Sequence, residues 1–314
     1  MLNGARPFTA RPSSPAAPPA PVGLRTALAE LRHFRQARQF VVAAPIVHVH
    51  VGAALPSTTG ERIAGALHWA VLDGPKTVAV VQQHRGVCWA VDPRRRDDPR
   101  IVAAVGELAA RQVRFSDTIF GPEHEVAAVA EVCRRAGVET VELRPQEMMA
   151  CPAPRPLAAA AGGFVLRSAA RRDMDWLLAA HGAMCLEDLG VDQVSRNPEG
   201  YAHYFEGLAR LRRIVVGEMG GRPVFKAEIA LESREAWLIE GVYTWPSARG
   251  RGCASRAMLW LAEMARRCGR VACLYVNQCN DGAIRVYRRV GFETVSPWAT
   301  ALLMRNGRRP GPSS

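Results

Sequence analysis

No run of about twenty apolar residues occurs in the chain, which excludes an ordinary membrane-spanning helix. Residues 1–22 are rich in Pro, Ala and Ser and lack the apolar stretch of a secretory signal; a cytoplasmic protein with a disordered tail over 1–23 is expected. The eight cysteines form no C-x-x-C pair and show no zinc-like spacing. They are expected as reduced, partly buried thiols, with neither a disulfide framework nor a metal site. His48 and His50, the one close histidine pair, have no Cys or carboxylate nearby in sequence, so no metal is expected there either. Lysine is scarce: arginine supplies nearly all of the 41 Lys+Arg residues, which against 29 Asp+Glu give a formal charge of +12. Such an excess favours anionic partners, among them coenzyme A, nucleic acid and acidic protein surfaces. The aromatic-and-basic signature of RNA binders is missing, which argues against nucleic acid.

What is present centres on Glu240 to Phe292. Trp237 to Thr244 is apolar and β-branched enough for a strand, and Pro246 stops it. The turn Arg249-Gly250-Arg251-Gly252-Cys253-Ala254 then opens a helix. Glycines there let a backbone approach a ligand closely, and the helix start offers unpaired N–H groups and a partial positive charge. That combination describes an anion site, most naturally one for a pyrophosphate. A second apolar strand, Val271 to Val276, is followed by Asn277, Asn280, Ala283, Tyr287 and Gly291-Phe292.

This order resembles the GNAT superfamily of acyl-CoA-dependent N-acyltransferases. Arg249, Gly252 and Ala254 fill its Arg/Gln-x-x-Gly-x-Gly/Ala motif, and Asn280, Ala283, Tyr287, Gly291 and Phe292 fill its Asn-x-x-Ala-x-x-x-Tyr-x-x-x-Gly-Phe motif. The resemblance covers roughly the C-terminal half and implies acetyl-CoA as co-substrate, without a metal, and an amine-bearing small molecule or protein as acceptor. It further implies that pantetheine slots between splayed strands, against the backbone of Val242, Tyr243 and Thr244. Arg249, Gly250, Arg251, Gly252, Cys253, Ala254 and Asn280 would bind the rest of the cofactor, and Tyr287 would protonate the departing thiolate. For Asn280 a helix-capping role is the alternative, and for Tyr287 simple packing between Ile284 and Val290. The general base is left among Glu240, Glu228 and Glu187, each of which could instead pair with an arginine. Glu240 is preferred: strand alternation places it with Val242 and Thr244 on one face, opposite Gly241 and Tyr243, and its apolar neighbours Leu238, Ile239 and Val242 would desolvate it. The expected reaction is direct attack of a primary amine on acetyl-CoA. The alternatives are a tandem enzyme of the mycothiol synthase kind, acting on a small sugar-linked amine, and a non-catalytic acyl-CoA sensor.

At 314 residues the chain can hold two domains. Apolar residues recur with helical spacing from Leu24 to Phe40, and Val41 to Ala54 could be helix or strand. Short strands over 66–72, 77–82 and 87–91, a helix over 101–113, a strand over 115–120, a helix over 122–136 and a strand over 138–143 follow. The stretch Glu131 to Val141 repeats the pattern of Arg285 to Val295, with Val, Arg-Arg, Gly and Glu-Thr-Val in common, which reads as two copies of one unit. In the first copy the turn Arg94-Arg95-Arg96-Asp97-Asp98-Pro99 lacks glycine and carries two aspartates, and Cys133 stands where Tyr287 stands. The expected architecture is therefore α/β: two tandem GNAT-like domains, each a central, mostly antiparallel mixed sheet flanked by helices. Residues 24–150 form the degenerate copy, 151–162 a Pro/Ala-rich linker, 163–306 the acetyltransferase domain and 307–314 a disordered tail. In the second domain helices are expected over 173–184 and 198–211, Glu187 to Asp192 as a polar loop, strands over 164–167, 213–217 and 224–230, and a last strand around 299–304.

Overall fold

The computed structural model describes residues 23–55, 66–84, 86–157 and 163–305. Residues 1–22 of the tail expected over 1–23, the tail expected over 307–314 and the 158–162 part of the linker lie outside the described residues. The first half runs β1 (Leu24–Leu28), α1 (Leu31–Ala43), α2 (Val49–Ala54), β2 (Leu67–Asp73), β3 (Lys76–Gln83), β4 (Val87–Val91), α3 (Pro99–Gln112), β5 (Ser116–Pro122), α4 (Glu123–Arg135) and β6 (Val138–Cys151). The second half runs β7 (Phe164–Ser168), α5 (Met174–Leu189), α6 (Gln193–Arg196), α7 (Pro198–Arg210), β8 (Ile214–Met219), β9 (Arg222–Glu232), β10 (Ala236–Thr244), α8 (Cys253–Arg267), β11 (Val271–Asn277), α9 (Asp281–Val290) and β12 (Glu293–Arg305).

All the strands join one mixed, mostly antiparallel sheet in the order β1-β2-β3-β4-β5-β12-β6-β11-β10-β9-β8-β7. Read from either edge, this is the same sequence of equivalent strands, so the two halves are related by a pseudo-two-fold axis between β6 and β12. Each half gives its last strand to the other: β12 lies beside β5, and β6 lies beside β11. Four apolar clusters fill the space between sheet and helices. Two of them lie on the second half: one under α8 and α9, which takes in Met149 and Cys151 of β6, and one under α5 and α7 on the other face. A third joins α1 and α2 to Met148, Leu238, Cys273 and Trp298, so side chains from both halves share one core.

Several local expectations change. Leu24 to Leu28 is a strand paired along its length with β2, and helix begins only at Leu31; edge pairing to the sheet overrides the helical spacing. The segment of open type, Val41 to Ala54, ends α1 and forms α2. Cys151, assigned to the linker by its proline-rich surroundings, is the last residue of β6, whose ladder with β11 carries the chain into the second half. The polar loop at Glu187 to Asp192 starts later than expected, because α5 continues through Leu189 and ends on Gly190 in the left-handed conformation.

The strand alternation expected around Glu240 is also broken. The register passes from Glu240–Glu228 to Tyr243–Lys226, three residues of β10 against two of β9. This is a β-bulge at Gly241 and Val242. Partners directly opposite share a face, so Glu240 and Tyr243 lie on the same side of the sheet, with Lys226 and Glu228.

Candidate active site

The site begins where two strands part. β10 and β11 pair in parallel only from Ala236–Val271 to Leu238–Cys273. Beyond Leu238 the bulge and Pro246 carry β10 away, opening a cleft whose wall is the Gly241 to Thr244 backbone. Below it, α8 starts at Gly252, whose φ of 74° is left-handed and which offers no capping side chain. Gly250 has a φ of 75°, and a Cβ added at either glycine would meet nothing within 4 Å. Glycine is thus required by the backbone conformation, and the space before the helix start is open. A phosphate there would find the first N–H groups of a 15-residue helix. The turn and helix start fit a coenzyme A pyrophosphate.

The side chains of the turn are not all directed at that space. Arg249 donates to both oxygens of Glu187, at 2.9 and 2.8 Å, and to the Thr244 carbonyl at 3.0 Å. The Tyr243 hydroxyl donates to the same Glu187 at 2.8 Å; burial and this carboxylate push the Tyr243 pKa up to about 12. Glu187, one of the three base candidates, is therefore held between a cation and a phenol. The Cys253 thiol is buried against the Ala248 carbonyl, leaving its backbone as the part that can face a ligand. Arg251 is directed to the Met219 sulfur. Asn280 caps α9 by accepting from the Ala283 N–H at 3.0 Å.

Two cavities meet in the cleft. One, of about 490 Å³, follows the turn, with Thr244, Arg249, Gly252 and Ala254 in its wall. The other, of about 660 Å³, runs under α5 and α7, with His181, Tyr201, Tyr204, Glu228 and Glu240 in its wall. Met184, Asp188, Val242, Asn280, Ala283 and Tyr287 line both. Tyr287 is buried, packed on Phe292 with ring centroids 5.8 Å apart. Burial, with Asp188 adding to it, pushes its pKa well above the usual phenol value, so it keeps its proton at neutral pH. Packing and a chemical role are compatible at this position.

The carboxylates of the second cavity have distinct surroundings. Glu228 is bonded by Lys226 at 2.6 Å and by the Tyr204 hydroxyl at 2.9 Å. Burial alone would raise its pKa, but the Lys226 ammonium holds it below the usual carboxylate range. It is an ionised group with little affinity for a proton, which counts against its expected role as base. Glu240 accepts from the Tyr275 hydroxyl at 2.6 Å and faces the cavity. Asp188 stands at the junction of the two cavities, where burial and neighbouring Glu187 push its pKa up. Apart from Lys226-x-Glu228, a cation and an anion on one face of a strand in a chain that uses arginine for nearly all its cations, nothing in the sequence alone marks Asp188, Lys226, His181 or Tyr204 as site residues.

The sequence model of the acetyltransferase (GNAT) family matches residues 175–292, the segment that supplies most of the lining of both cavities, with Arg144 and Gln146 of β6 added to the larger. Residues 175–292 are a GNAT acetyltransferase domain. That fold supports acyl transfer. No curated protein matches the chain. Solved structures sharing the fold include a GCN5-related N-acetyltransferase from Sphaerobacter thermophilus, at TM-score 0.58 and 16% identity over 94% of this chain and 100% of that one. Another is a tandem GNAT protein from the clavulanic acid biosynthesis pathway, at TM-score 0.53 and 15% identity over 93% and 100%. A third is a GNAT-family acetyltransferase from Colwellia psychrerythraea, at TM-score 0.55 and 12% identity over 90% and 99%. At these identities the likeness is one of fold, and it extends over both halves.

The equivalent place in the first half has different chemistry. Pro93–Arg95 forms a 3-10 turn, as Pro246–Ala248 does ahead of the GNAT helix. The residue that then caps α3 is Asp98, which accepts from the Arg100 N–H at 3.0 Å and pairs with Arg100 and Arg95. An anion approaching that helix start would meet a carboxylate already in place. Cys133, at the position equivalent to Tyr287, is buried with its thiol on the Gly106 carbonyl.

Proposed function

We propose that the protein is an N-acyltransferase that moves an acetyl group from acetyl-CoA to the primary amine of a small molecule, and that the first half is a degenerate copy supporting the second. The observation that carries this reading is the junction of the two cavities at Val242 and Tyr287: one approach suits a coenzyme, the other an acceptor, and both end at the same backbone. The acceptor cavity is walled by α5 and α7 and lined by polar groups, which favours a compact amine over an extended protein segment. A sugar-linked amine, as for enzymes of the mycothiol synthase kind, is one such acceptor.

In this reading the pyrophosphate lies at the α8 start and pantetheine follows β10, with the thioester oxygen toward the bulge backbone. The neutral amine nitrogen attacks the carbonyl carbon, forming a C–N bond, and the C–S bond breaks as the tetrahedral species collapses. The proton leaving nitrogen passes to Glu240, directly or through water, and the coenzyme A thiolate takes the Tyr287 proton. The ion pairs of Glu228 with Lys226 and of Glu187 with Arg249 favour Glu240 over both as the base.

Two measurements test the reading. Mass spectrometry of acetyl-CoA against pooled amines, polyamines and peptides is expected to find one acetylated small-molecule class; acetylation of peptides alone would overturn the small-acceptor reading. Gly252→Glu puts an anion where the pyrophosphate belongs, so calorimetric binding of acetyl-CoA should vanish while the circular dichroism spectrum is retained. Unchanged binding in a folded variant would remove the α8 start from the cofactor site.

A further inference from the structure

Only two lysines occur in the chain, Lys76 and Lys226, and Lys226 is fully buried, at 0% exposure. An ammonium at such a place is strongly unfavourable unless each of its protons is used. Here three acceptors converge on it: Glu228 Oε1 at 2.6 Å, the Gly241 carbonyl at 2.9 Å and His181 Nδ1 at 3.2 Å. Three donors meet three acceptors around a point charge. A planar guanidinium cannot converge in that way, which explains a lysine here in a chain that uses arginine for nearly all its cations.

The Gly241 carbonyl belongs to the bulge that breaks the ladder between β9 and β10. Gly241 has a φ of 59°, and a Cβ there would run into the Glu228 carboxylate and the Lys226 ammonium. The ion pair thus occupies the side-chain space of Gly241 while Lys226 bonds its carbonyl, and the next residue, Val242, is where the two cavities meet. The same ammonium settles a proton on the imidazole. Lys226 can only donate, so in the 3.2 Å contact Nδ1 of His181 is the accepting nitrogen and Nε2 carries the hydrogen; Glu228 Oε1, 3.7 Å from the same Nδ1, lies beyond hydrogen-bond reach. His181 lines the acceptor cavity, its ring against Tyr201 and Phe205 at centroid distances of 4.9 and 5.3 Å.

We propose that Lys226 is a positioning residue for acyl transfer: its ammonium pins the Gly241 bulge, which sets Val242 against the thioester, and holds His181 with its proton on Nε2 facing the acceptor. The inference rests on the acyltransferase reading. The first measurement compares kcat, and affinity for coenzyme A and acetyl-CoA, in the full chain and in Lys226→Arg and Lys226→Met. A misplaced reacting group typically lowers turnover by about 100-fold, and a loss of that order in kcat is expected for both variants. Affinity for coenzyme A should be unchanged, because the α8 start does not touch Lys226. Retention of charge in Lys226→Arg should not rescue turnover. Since Lys226→Met leaves Glu228 buried without its cation, the double variant Lys226→Met/Glu228→Gln serves as a folded control with the same expected loss. In wild type, 15N NMR of the His181 ring should show Nδ1 unprotonated, and in Lys226→Met that preference should be lost.

Wild-type kcat in Lys226→Arg or in the double variant would overturn the proposal. So would equal loss of coenzyme A binding and turnover, which marks a general structural role, and so would a wild-type proton on Nδ1. If wild type acetylates no amine, the acyltransferase reading falls instead, and the His181 ring shifts still decide for or against the lysine's grip.

Discussion

Tyr287 and Glu240 both line the proposed acceptor cavity, and each has a substitution that separates chemistry from packing. Tyr287→Phe keeps the ring against Phe292 and removes a buried hydroxyl whose proton is firmly held. Loss of a positioned proton donor typically lowers turnover ~100-fold or more, so kcat should fall by that order with acetyl-CoA affinity unchanged; equal kcat would leave Tyr287 a packing residue. Glu240→Gln keeps the acceptor of the Tyr275 hydrogen bond but cannot take a proton. Turnover at neutral pH should fall and recover as pH rises, because an alkyl amine with a pKa near ~10.4 increasingly deprotonates unaided. A pH–rate profile parallel to wild type would exclude Glu240 as base.

At the scale of the element, α2 carries a titration that shapes stability. His50, on α2, faces Phe120 and Tyr275 in the space between the halves. Burial, with His84 adding to it, lowers its pKa to about 3. In the unfolded chain the same group titrates near ~6.5. Between those values the unfolded state binds the extra proton, so the stability associated with neutral His50 is complete above the unfolded pKa and is lost as pH falls toward the folded one. From pH 6.5 to 4.5 the loss is on the order of 2–3 kcal/mol, at about 1.4 kcal/mol per unit. Urea unfolding at these pH values should show a smaller loss in His50→Gln than in wild type; equal losses would mean that His50 is not the titrating group.

For the whole molecule, the exchanged strands decide what can be cut. β12 holds Trp298, Ala299, Ala301 and Leu303, all buried, between β5 and β6. Fully burying one large apolar side chain contributes roughly 1.5–3 kcal/mol, and a domain's net stability is only about 5–15 kcal/mol. A chain ending before Glu293 should therefore lose the first half as well as the second. Fragments 23–157 and 163–305 each lack one interior strand of their own unit. Expressed separately they should be unfolded or aggregated by circular dichroism and size exclusion, and expressed together they should form a one-to-one complex that binds acetyl-CoA. Monomeric, cooperatively folded fragments would show that the exchange is dispensable.

The local features of the second half were legible in the sequence because each depends on near neighbours. A strand ended by Pro246, glycines opening α8, Asn280 capping α9 and Tyr287 one helical turn before Gly291 follow from backbone rules and helix periodicity. The two motifs in order pointed to the GNAT fold, and the matching Glu131 and Arg285 stretches pointed to the repeat. What no local pattern contains is which strand lies beside which. Only the tertiary structure places β6 beside β11 and β12 beside β5, since that choice depends on apolar faces more than a hundred residues apart. The ion-pair partners of Glu228 and Glu187, Lys226 and Arg249, also meet them only in space. The extra residue at Gly241 likewise becomes visible only against β9, and with it the face on which Glu240 stands: alternation along one strand is a sequence property, but a bulge is a mismatch between two.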